Sequence, residues 1–285
     1  MGQMILNGIV SAGLIAPPAI AFTLLFSVLR FPNFAIGGFM TLGAFMAYAA
    51  NISGLPLVPS AILGMAAVAL AVWASDRIVF QPLRNRQAVT LLVVSIALTL
   101  ILENIVRLIW GNDVRGYDLP LTRPIRFGEF RITIEQLWIL LVAVGVAVTT
   151  HILLAHTRLG KAMRATADNG ALAEVRGIDT RRIVAWTTLY AGALLGLSGV
   201  LAGLDLVIEP RVGWNLTIPI FAAAILGGIG SAYGAMIGAV LVGITEELTI
   251  LVLPSTYKVG VGFIIIALLL LFRPHGLLGE PVIKK

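Results

Sequence analysis

The sequence contains no cysteine and few charged residues. Without cysteine the chain has no disulfide, no thiolate metal ligand and no cysteine nucleophile. Charged residues make up only 12% of its 285 residues, whereas about a quarter is usual in soluble proteins. Because hydrophobic residues make up 59%, too little polar surface remains to cover a globule in water. The composition therefore predicts a membrane protein with several spans.

Motifs for catalysis, metal binding and cofactor binding are also missing. The three histidines, His151, His156 and His275, have no companion carboxylates at ligand spacing, so we expect no metal site. The Gly-Lys pair at 160–161 lacks the other residues of a phosphate-binding loop, and the glycine-rich stretch 227–234 has the wrong spacing for a dinucleotide fingerprint. We therefore expect no cofactor and no enzyme activity in this chain.

Nine apolar segments have lengths expected of membrane-crossing or re-entrant helices. They are residues 5–29, 34–50, 57–75, 89–110, 137–155, 183–206, 217–229, 232–253 and 259–272. Segments 34–50 and 217–229 either cross or re-enter, so about eight or nine segments are expected. Pro17-Pro18 removes two backbone donors and predicts a break or kink in the first span. The predicted fold is an all-α polytopic bundle, with broken or re-entrant pieces, forming one transmembrane domain over residues 1–285.

The basic residues concentrate at alternate ends of these segments. Cytoplasmic connections of membrane proteins are enriched in Lys and Arg, so the pattern predicts an N-terminus outside and a C-terminus in the cytoplasm. The net charge of +6 has the same explanation, because the cations flank apolar segments. It does not indicate a nucleic-acid partner.

The longest polar interval, residues 157–182, has the pattern of a folded helix-turn-helix element at a membrane surface. Leu159, Met163, Ala167 and Ala171 recur every fourth residue, which places them on one face of a short amphipathic helix. The element therefore differs from both a flexible linker and a membrane span.

Turn and cap residues divide this interval. Asn169-Gly170 predicts a break in the helix, because both residues tolerate left-handed backbone conformations. A second short helix over 171–176 is expected to stop at Gly177, and Asp179 or Thr180 is expected to cap the next span. Composition leaves two interpretations open: a basic cytoplasmic loop held inside by its charge, or a docking element for a soluble partner.

Small residues at four-residue spacing occur in two of the apolar segments. They are Gly192 with Gly196, Gly199 with Gly203, and Gly234 with Gly238. Such pairs let helix backbones approach closely where lipid offers no hydrophobic drive for association. We therefore expect these glycines at helix–helix contacts.

Few charged residues fall inside the apolar segments. Glu103 and Arg107 lie four residues apart on one helix face and can pair. A carboxylate at depth usually faces a pathway or a partner, whereas a position near the outer helix end makes it a simple ion pair. Both interpretations stay open. Glu246 and Glu247 pose the same question, and their position favours the interface.

Twelve residues of the 157–182 interval resemble the cytoplasmic coupling motif of branched-chain amino-acid ABC transporter permeases. They are Gly160, Lys161, Ala162, Met163, Arg164, Ala165, Ala167, Asn169, Ala173, Gly177, Ile178 and Asp179. The stretches RFPNFAIGGFMTLGAFMAY and AAAILGGIGSAYGAMIGA also resemble that family, so the resemblance covers most of the chain. Arg176 is a departure, since the family usually has an apolar residue before the glycine.

The resemblance implies a permease subunit of an ATP-binding-cassette importer in the bacterial inner membrane, with branched-chain or related small amino acids as cargo. It implies three kinds of protein partner: cytoplasmic ATP-binding subunits that carry out the hydrolysis, a second related permease that gives a heterodimer, and an extracytoplasmic solute-binding protein. The alternatives are an ABC permease for an amide, urea or a sugar, or a secondary transporter, which would need internal inverted repeats and coupling-ion residues.

The resemblance also assigns roles to residues of the cytoplasmic element. The expected ATPase-coupling residues are Gly160, Lys161, Met163, Arg164, Ala167, Asn169, Gly177, Ile178 and Asp179. Of these, Lys161 and Arg164 are expected to make polar contacts with the ATPase. Met163 and Ala167 are expected to form the apolar knob that it grips.

A path for a small zwitterion needs polar side chains or exposed backbone groups inside the membrane. Such groups can match an ammonium and a carboxylate without a buried fixed charge. The candidate path residues are Asn33, Phe34, Glu103, Asn104, Gly227, Gly228 and Gly230. This hypothesis rests on their composition and position along the chain.

Overall fold

The structure is a computed structural model that describes residues 1–84, 86–120, 124–127 and 130–251 and scattered positions between 254 and 278. Within these residues the chain forms nine α-helices. They are α1 (Gly2–Leu29), α2 (Ile36–Ile52), α3 (Leu57–Ser75), α4 (Ala88–Trp110), α5 (Ile134–His151), α6 (Arg158–Val175), α7 (Thr180–Asp205), α8 (Val212–Gly227) and α9 (Ala232–Thr249).

Short helical turns and a hairpin make up the other regular structure of the described residues. A π-helical turn (Asp76–Phe80) and a 3-10 turn (Gln81–Leu83) extend α3, and a π-helical turn (Ile152–His156) extends α5. The strands β1 (Ile125–Phe127) and β2 (Phe130–Ile132) pair in an antiparallel hairpin between α4 and α5.

The hairpin and α6 lie at opposite ends of the bundle. Gln3, at the start of α1, hydrogen-bonds to Arg131 of β2, whereas Arg30, just after α1, hydrogen-bonds to α6. The long helix α1 separates these two contacts. We therefore call the two ends of the bundle the hairpin end and the α6 end.

In the described part of the chain, five helices are long and apolar enough to cross a membrane: α1, α3 and α5 with their extensions, α4, and α7. α2 and α8 are shorter apolar helices, and α9 packs along α1 and α8. This architecture confirms the predicted all-α polytopic bundle. The predicted last segment, 259–272, falls mostly outside the described residues.

The helices divide into an interior pair and a peripheral set. In their most apolar windows, α1 and α7 are 78% and 67% buried, whereas α3, α4 and α5 are 22–28% buried. Large apolar side chains on the peripheral helices, such as Val93 and Leu141, are exposed. Such faces are those expected to contact lipid or another subunit.

The predicted break at Pro17-Pro18 does not occur, because α1 is continuous from Gly2 to Leu29 and buries both prolines. Prolines are tolerated in membrane helices where neighbouring helices and local adjustments compensate the lost backbone hydrogen bonds. α1 has such neighbours, since it packs on α5, α7, α8 and α9.

α2 starts inside the bundle. The N–H of Phe34 donates to Ser95 Oγ at 3.0 Å, and the Phe34 carbonyl accepts from Thr99 Oγ1 at 2.9 Å. Thr99 lies at the middle of α4, so the chain re-enters the bundle between Arg30 and Ile36. The predicted segment 34–50 is therefore a short helix that starts at about half the depth of α4.

α8 starts beside α2. Gly37 and Gly213, in the first turns of the two helices, pack backbone against backbone. The N–H of Gly213 also donates to Thr41 Oγ1 at 3.2 Å. α8 begins at Val212, five residues before the start of the predicted segment 217–229.

The six glycines predicted to serve helix packing lie at close contacts between elements. They are Gly192, Gly196, Gly199 and Gly203 in α7, and Gly234 and Gly238 in α9. A methyl group at any of them except Gly203 would come within 3.0 Å of a backbone atom of a neighbouring helix. At Gly203 the nearest atoms are the side chains of Tyr117 and Ile208.

Candidate coupling surface and polar pocket

α6 is joined to α5 by a local hydrogen-bonded cap. Thr157 Oγ1 accepts from the N–H of Gly160 at 3.0 Å and so caps the start of α6. Gly160 is buried there, and a methyl group on it would collide with the backbone of Leu153 and Leu154. The first turn of α6 is therefore packed tightly on the end of the α5 extension.

The predicted break at Asn169 is present, but its cause differs from the expected one. Asn169 has an extended backbone (φ −154°, ψ 99°), and Gly170 is not among the glycines with positive φ. Asn169 Oδ1 accepts from the N–H of Leu172 at 3.0 Å. Asn169 therefore caps the second half of α6 instead of forming a left-handed turn.

The end of α6 follows the Schellman pattern. Gly177 has φ 82°, its N–H donates to the Glu174 carbonyl at 2.9 Å, and the Ile178 N–H donates to the Ala173 carbonyl at 3.0 Å. Asp179 Oδ1 then accepts from the N–H of Arg182 at 3.2 Å and caps α7. The predicted stop at Gly177 and the predicted cap at Asp179 are both confirmed.

The face of α6 that carries Met163 is turned into the bundle. Met163 is 3% exposed and packs in the main hydrophobic core, so the apolar knob that we expected it to form is not available to a partner. The exposed large apolar side chains of α6 are Leu172 (56%) and Val175 (83%). Sequence reasoning missed this pair, although its three-residue spacing on the second helical piece was a usable signal.

The other predicted coupling residues lie at or near the surface. Lys161, Arg164, Asn169, Gly177 and Asp179 are exposed, and Ala167 and Ile178 are half-buried. The exposed cations of this element are Arg158, Lys161, Arg164, Arg176, Arg181 and Arg182. An apolar pair within a polar and strongly cationic surface is an arrangement suited to binding a protein partner.

Arg30 connects this element to α1. Its backbone is left-handed (φ 63°), and its guanidinium donates to the carbonyls of Ala167 and Asp168, the second at 3.4 Å. These carbonyls end the first half of α6, where a cation is favoured by the helix dipole. α6 is therefore attached to α1 as well as to α5 and α7.

A polar pocket of about 300 Å³ opens at the hairpin end. It is lined by Arg107, Asn112, Glu209, Pro210 and Arg211. These residues come from the end of α4, the loop after it, and the linker between α7 and α8. Asn215, in the first turn of α8, donates through Nδ2 to Glu209 Oε1 at 3.0 Å.

Arg115 fixes the two walls of this pocket relative to each other. It exchanges two backbone hydrogen bonds of 2.9 Å with Ile208. Its guanidinium donates to the Trp110 carbonyl at 2.7 Å and to the Tyr48 hydroxyl at 3.1 Å, and it lies 5.5 Å from the centre of the Tyr48 ring. The α4–α5 loop and the α7–α8 linker are thus tied together and to α2.

A polar stripe on α4 leads from the pocket into the bundle. Ser95, Thr99, Glu103 and Arg107 recur every fourth residue and share one helix face. The first three are buried, and Arg107 Nη2 lies 3.7 Å from Glu103 Oε2. Sequence reasoning singled out Glu103 and Arg107 but missed Ser95 and Thr99, for which the four-residue spacing was the available signal.

Two of the predicted path residues meet this stripe. Phe34 is held by Ser95 and Thr99, and Glu103 belongs to the stripe. Asn33 is buried next to Phe34, where its Oδ1 accepts from the backbone two residues further on. Asn33 is therefore part of the turn that starts α2.

The remaining predicted path residues lie elsewhere. Asn104 is exposed, and its side chain donates to a carbonyl of its own helix. Gly227 packs against α9, and Gly228 and Gly230 form the turn between α8 and α9 with φ 107° and 96°. This turn belongs to the α6 end, since Tyr233 just after it bonds to the last residue of α5. The structure thus separates these glycines from Glu103.

An apolar helical bundle with a basic helical element between two spans defines a polytopic membrane protein. A sequence model of the family described as "Branched-chain amino acid transport system / permease component" matches residues 4–272. The chain belongs to this family.

Curated relatives cover nearly the whole chain. The high-affinity branched-chain amino acid transport system permease protein BraD of Pseudomonas aeruginosa is 32% identical over 298 residues, covering 99% of this chain and 97% of BraD. The corresponding protein LivH of Escherichia coli strain K12 is 32% identical over 302 residues, with the same coverage. The ribose import permease protein RbsC of Escherichia coli strain K12 is 30% identical over 127 residues, covering 42% of this chain and 40% of RbsC.

A solved structure shares the fold. It is PsaBC from Streptococcus pneumoniae in complex with Fab, with a TM-score of 0.52 and 14% sequence identity, covering 94% of this chain and 91% of that one. At this identity the similarity concerns the fold alone.

Proposed function

We propose that this chain is the membrane-spanning permease subunit of an ATP-driven importer for branched-chain or related small amino acids. The observation that carries the proposal is the ordered element 157–182, whose exposed surface presents Leu172 and Val175 of α6 together with six cations. The cargo class is supported by the names of BraD and LivH, which match the chain over nearly its full length.

In this proposal the ATP-binding subunits dock on α6 and carry out the hydrolysis, and this chain converts their motion into movement of helices. The second half of α6 leads through Gly177 and the Asp179 cap directly into α7. α7 is an interior helix that packs on α1, α2 and α3. A push on Leu172 and Val175 therefore reaches the centre of the bundle through a short and well-capped connection.

The first half of α6 supplies two further attachments. Gly160 and Met163 fix it to the α5 extension and the core, and Arg30 links it to the end of α1. Because rigid, packed elements transmit displacement better than flexible loops, α1, α5 and α7 move together with α6 in this account.

The proposed topology puts the α6 end in the cytoplasm and the hairpin end outside. Arg30, Arg77, Arg84 and Arg86 share the α6 end with the cations of α6, which agrees with the enrichment of basic residues on the cytoplasmic side. The N-terminus is then outside, the solute-binding protein docks at the hairpin end, and a second related permease completes the pathway in the inner membrane.

The test is co-purification of ATP-binding subunits with the native chain and with the double variant Leu172→Asp plus Val175→Asp. Both side chains are exposed, so the variant keeps its fold, whereas charging the buried Met163 would disrupt the core. Val114→Asp is the matched control, since Val114 is equally apolar, 63% exposed, and at the hairpin end.

We expect the native chain and the Val114→Asp control to retain the ATP-binding subunits, and the double variant to lose them. The reconstituted native complex should accumulate leucine in proteoliposomes only when ATP is supplied. If the native chain, the control and the double variant all retained the ATP-binding subunits equally, the proposed docking surface on α6 would be wrong. If the chain alone took up leucine when driven by an ion gradient, it would be a secondary transporter and not a subunit of an ATP-driven importer.

A further inference from the structure

The pocket at the hairpin end contains charged groups whose pairing is incomplete. Arg107 and Glu209 line it together with Arg211, and Glu103 lies one helical turn below Arg107 on the polar stripe. Glu103 is only 4% exposed. Arg107 and Arg211 are the two cations close enough to act electrostatically on Glu103.

Among the described residues, the ion pair of Glu103 with Arg107 is long and weak. Its Oε2 lies 3.7 Å from Arg107 Nη2, which is longer than a hydrogen bond. Its Oε1 is buried, and no described residue hydrogen-bonds to it; the buried Nε of Arg107 is in the same situation. A buried carboxylate in a membrane protein is costly when unpaired, and a buried polar atom without a partner needs an explanation.

The opposite wall of the pocket has the same mixture of charges. Glu209 is half-buried and uses Oε1 to accept from Asn215, while Arg211 is exposed. The wall is held in place by the backbone bridge between Arg115 and Ile208. The pocket therefore presents two cations and one carboxylate from two elements that are tied together before any ligand binds, and Glu103 is buried one helical turn below it.

We propose that this pocket is the outer binding site for the zwitterionic amino acid that the importer carries. Arg107 and Arg211 bind the carboxylate of the ligand, Glu209 binds its ammonium group, and Glu103 positions Arg107 from one helical turn below. This inference rests on the proposed function, and it adds the site and the chemistry of recognition. The carboxylate of the ligand would supply the charged partner that Arg107 lacks.

The size and position of the pocket fit this ligand. Its volume of about 300 Å³ is at the small end of the range of roughly 300–1,000 Å³ for ligand pockets, which suits one amino acid. The polar stripe below it leads through Glu103 and Thr99 to Phe34, in the middle of the bundle. An amino acid released at the hairpin end thus meets both charge types before it meets the apolar interior.

The experiment uses proteoliposomes that contain the complete importer with ATP inside, and the solute-binding protein loaded with radiolabelled leucine outside. Uptake is measured against the concentration of binding protein for the native complex, Glu103→Gln and Arg211→Gln. The control is Asp113→Asn, since Asp113 is an exposed carboxylate of the α4–α5 loop that does not line the pocket. Its one ionic contact among the described residues, 3.9 Å from Arg115, is at the surface and therefore weak.

We expect Glu103→Gln and Arg211→Gln to lower the maximal uptake rate by about tenfold or more. Arg211→Gln removes a charge-assisted contact to the ligand, and Glu103→Gln removes the ion pair that positions Arg107. The concentration of binding protein at half-maximal uptake should stay unchanged. ATP hydrolysis stimulated by the binding protein should persist, which shows that the variants fold and assemble. Asp113→Asn should match the native complex in all three readouts.

Two outcomes would overturn the proposal. A raised half-saturation concentration with an unchanged maximal rate would make the pocket a docking contact for the binding protein. Unchanged uptake in both variants would remove the pocket from the pathway. If the Glu103→Gln variant does not assemble, the uptake of the Arg211→Gln variant tests the proposal alone, because Arg211 is exposed. In each of these cases the native complex still imports leucine, whereas failure of the native complex to do so would refute the proposed function itself.

Discussion

The two ends of the bundle are built in different ways. At the α6 end, the caps of α6 and α7 join residues three positions apart, as in Thr157 with Gly160 or Asp179 with Arg182. At the hairpin end, the hydrogen bonds of Arg115 with Tyr48 and of Arg131 with Gln3 join residues 67 and 128 positions apart. Apart from the hydrogen bond of Arg30 to Ala167, 137 positions away, the α6 element is built locally and can move as a unit. An end tied mainly by long-range contacts holds a preformed site.

The largest effect is expected where the locally built end meets the bundle. Gly160→Leu places a side chain against the backbone of the α5 extension, which cannot yield without moving α6. We expect a loss of unfolding free energy of at least about 3 kcal/mol, seen as loss of the monodisperse protein in detergent. Gly170→Leu is the control, because nothing lies within 4 Å of a methyl group there. Equal damage from both variants would contradict the tight packing of the first turn.

The long-range end is tested by Arg115→Gln. This change removes the contacts of a charged donor with the Trp110 carbonyl and the Tyr48 ring and hydroxyl. We expect a loss of about 2 kcal/mol, measured by unfolding in mixed micelles of SDS. Asp113→Asn, on the same loop and largely exposed, should cost far less. A cost for Arg115→Gln no greater than for this control would show that the end is not held by Arg115.

The attachment of α6 to α1 is tested by Arg30→Asn. Asparagine tolerates the left-handed backbone at this position but lacks the guanidinium that reaches the carbonyls of Ala167 and Asp168. We expect ATP hydrolysis to continue while leucine transported per ATP falls by about tenfold, which corresponds to about 1.4 kcal/mol in the relative heights of the kinetic barriers. Arg86→Asn, an exposed cation at the same end, should leave this ratio unchanged. An unchanged ratio in Arg30→Asn would exclude α1 from the transmission.

The smallest effect is expected at the break inside α6. Asn169→Ala removes the cap on the second half of the helix and should cost about 1 kcal/mol locally. Hydrogen exchange of the amides of residues 171–175 should become faster, with little change in the rest of the bundle. Asn169→Asp keeps the capping oxygen and should preserve the native exchange rates. Faster exchange in Asn169→Asp alone would contradict the capping role.

The same contrast explains what could be predicted from the sequence. The break at Asn169, the stop at Gly177 and the cap at Asp179 depend on neighbouring residues, and they occur at the predicted positions. The side of α6 that is buried depends on the bundle, so Met163 was expected at the surface and lies in the core. Local patterns give caps and breaks but not the direction in which a helix face turns.

The hairpin end was less accessible to sequence reasoning for the same reason. The pocket joins Arg107 to residues 209–211, which are about a hundred positions further along the chain. The re-entry of the chain before α2 depends on contacts of Phe34 with Ser95 and Thr99. The continuity of α1 through Pro17-Pro18 likewise depends on packing against four other helices. None of these contacts leaves a local signal.

The central claim is that the exposed surface of α6 receives the ATP-binding subunit, and the absence of native cysteine allows a direct test. Single cysteines at Val175 and at Val114, both exposed and at opposite ends, can be labelled with a photoactivatable maleimide in the assembled complex. The account predicts that the ATP-binding subunit is cross-linked from Val175→Cys and not from Val114→Cys. Cross-linking from Val114→Cys, with none from Val175→Cys, would contradict it.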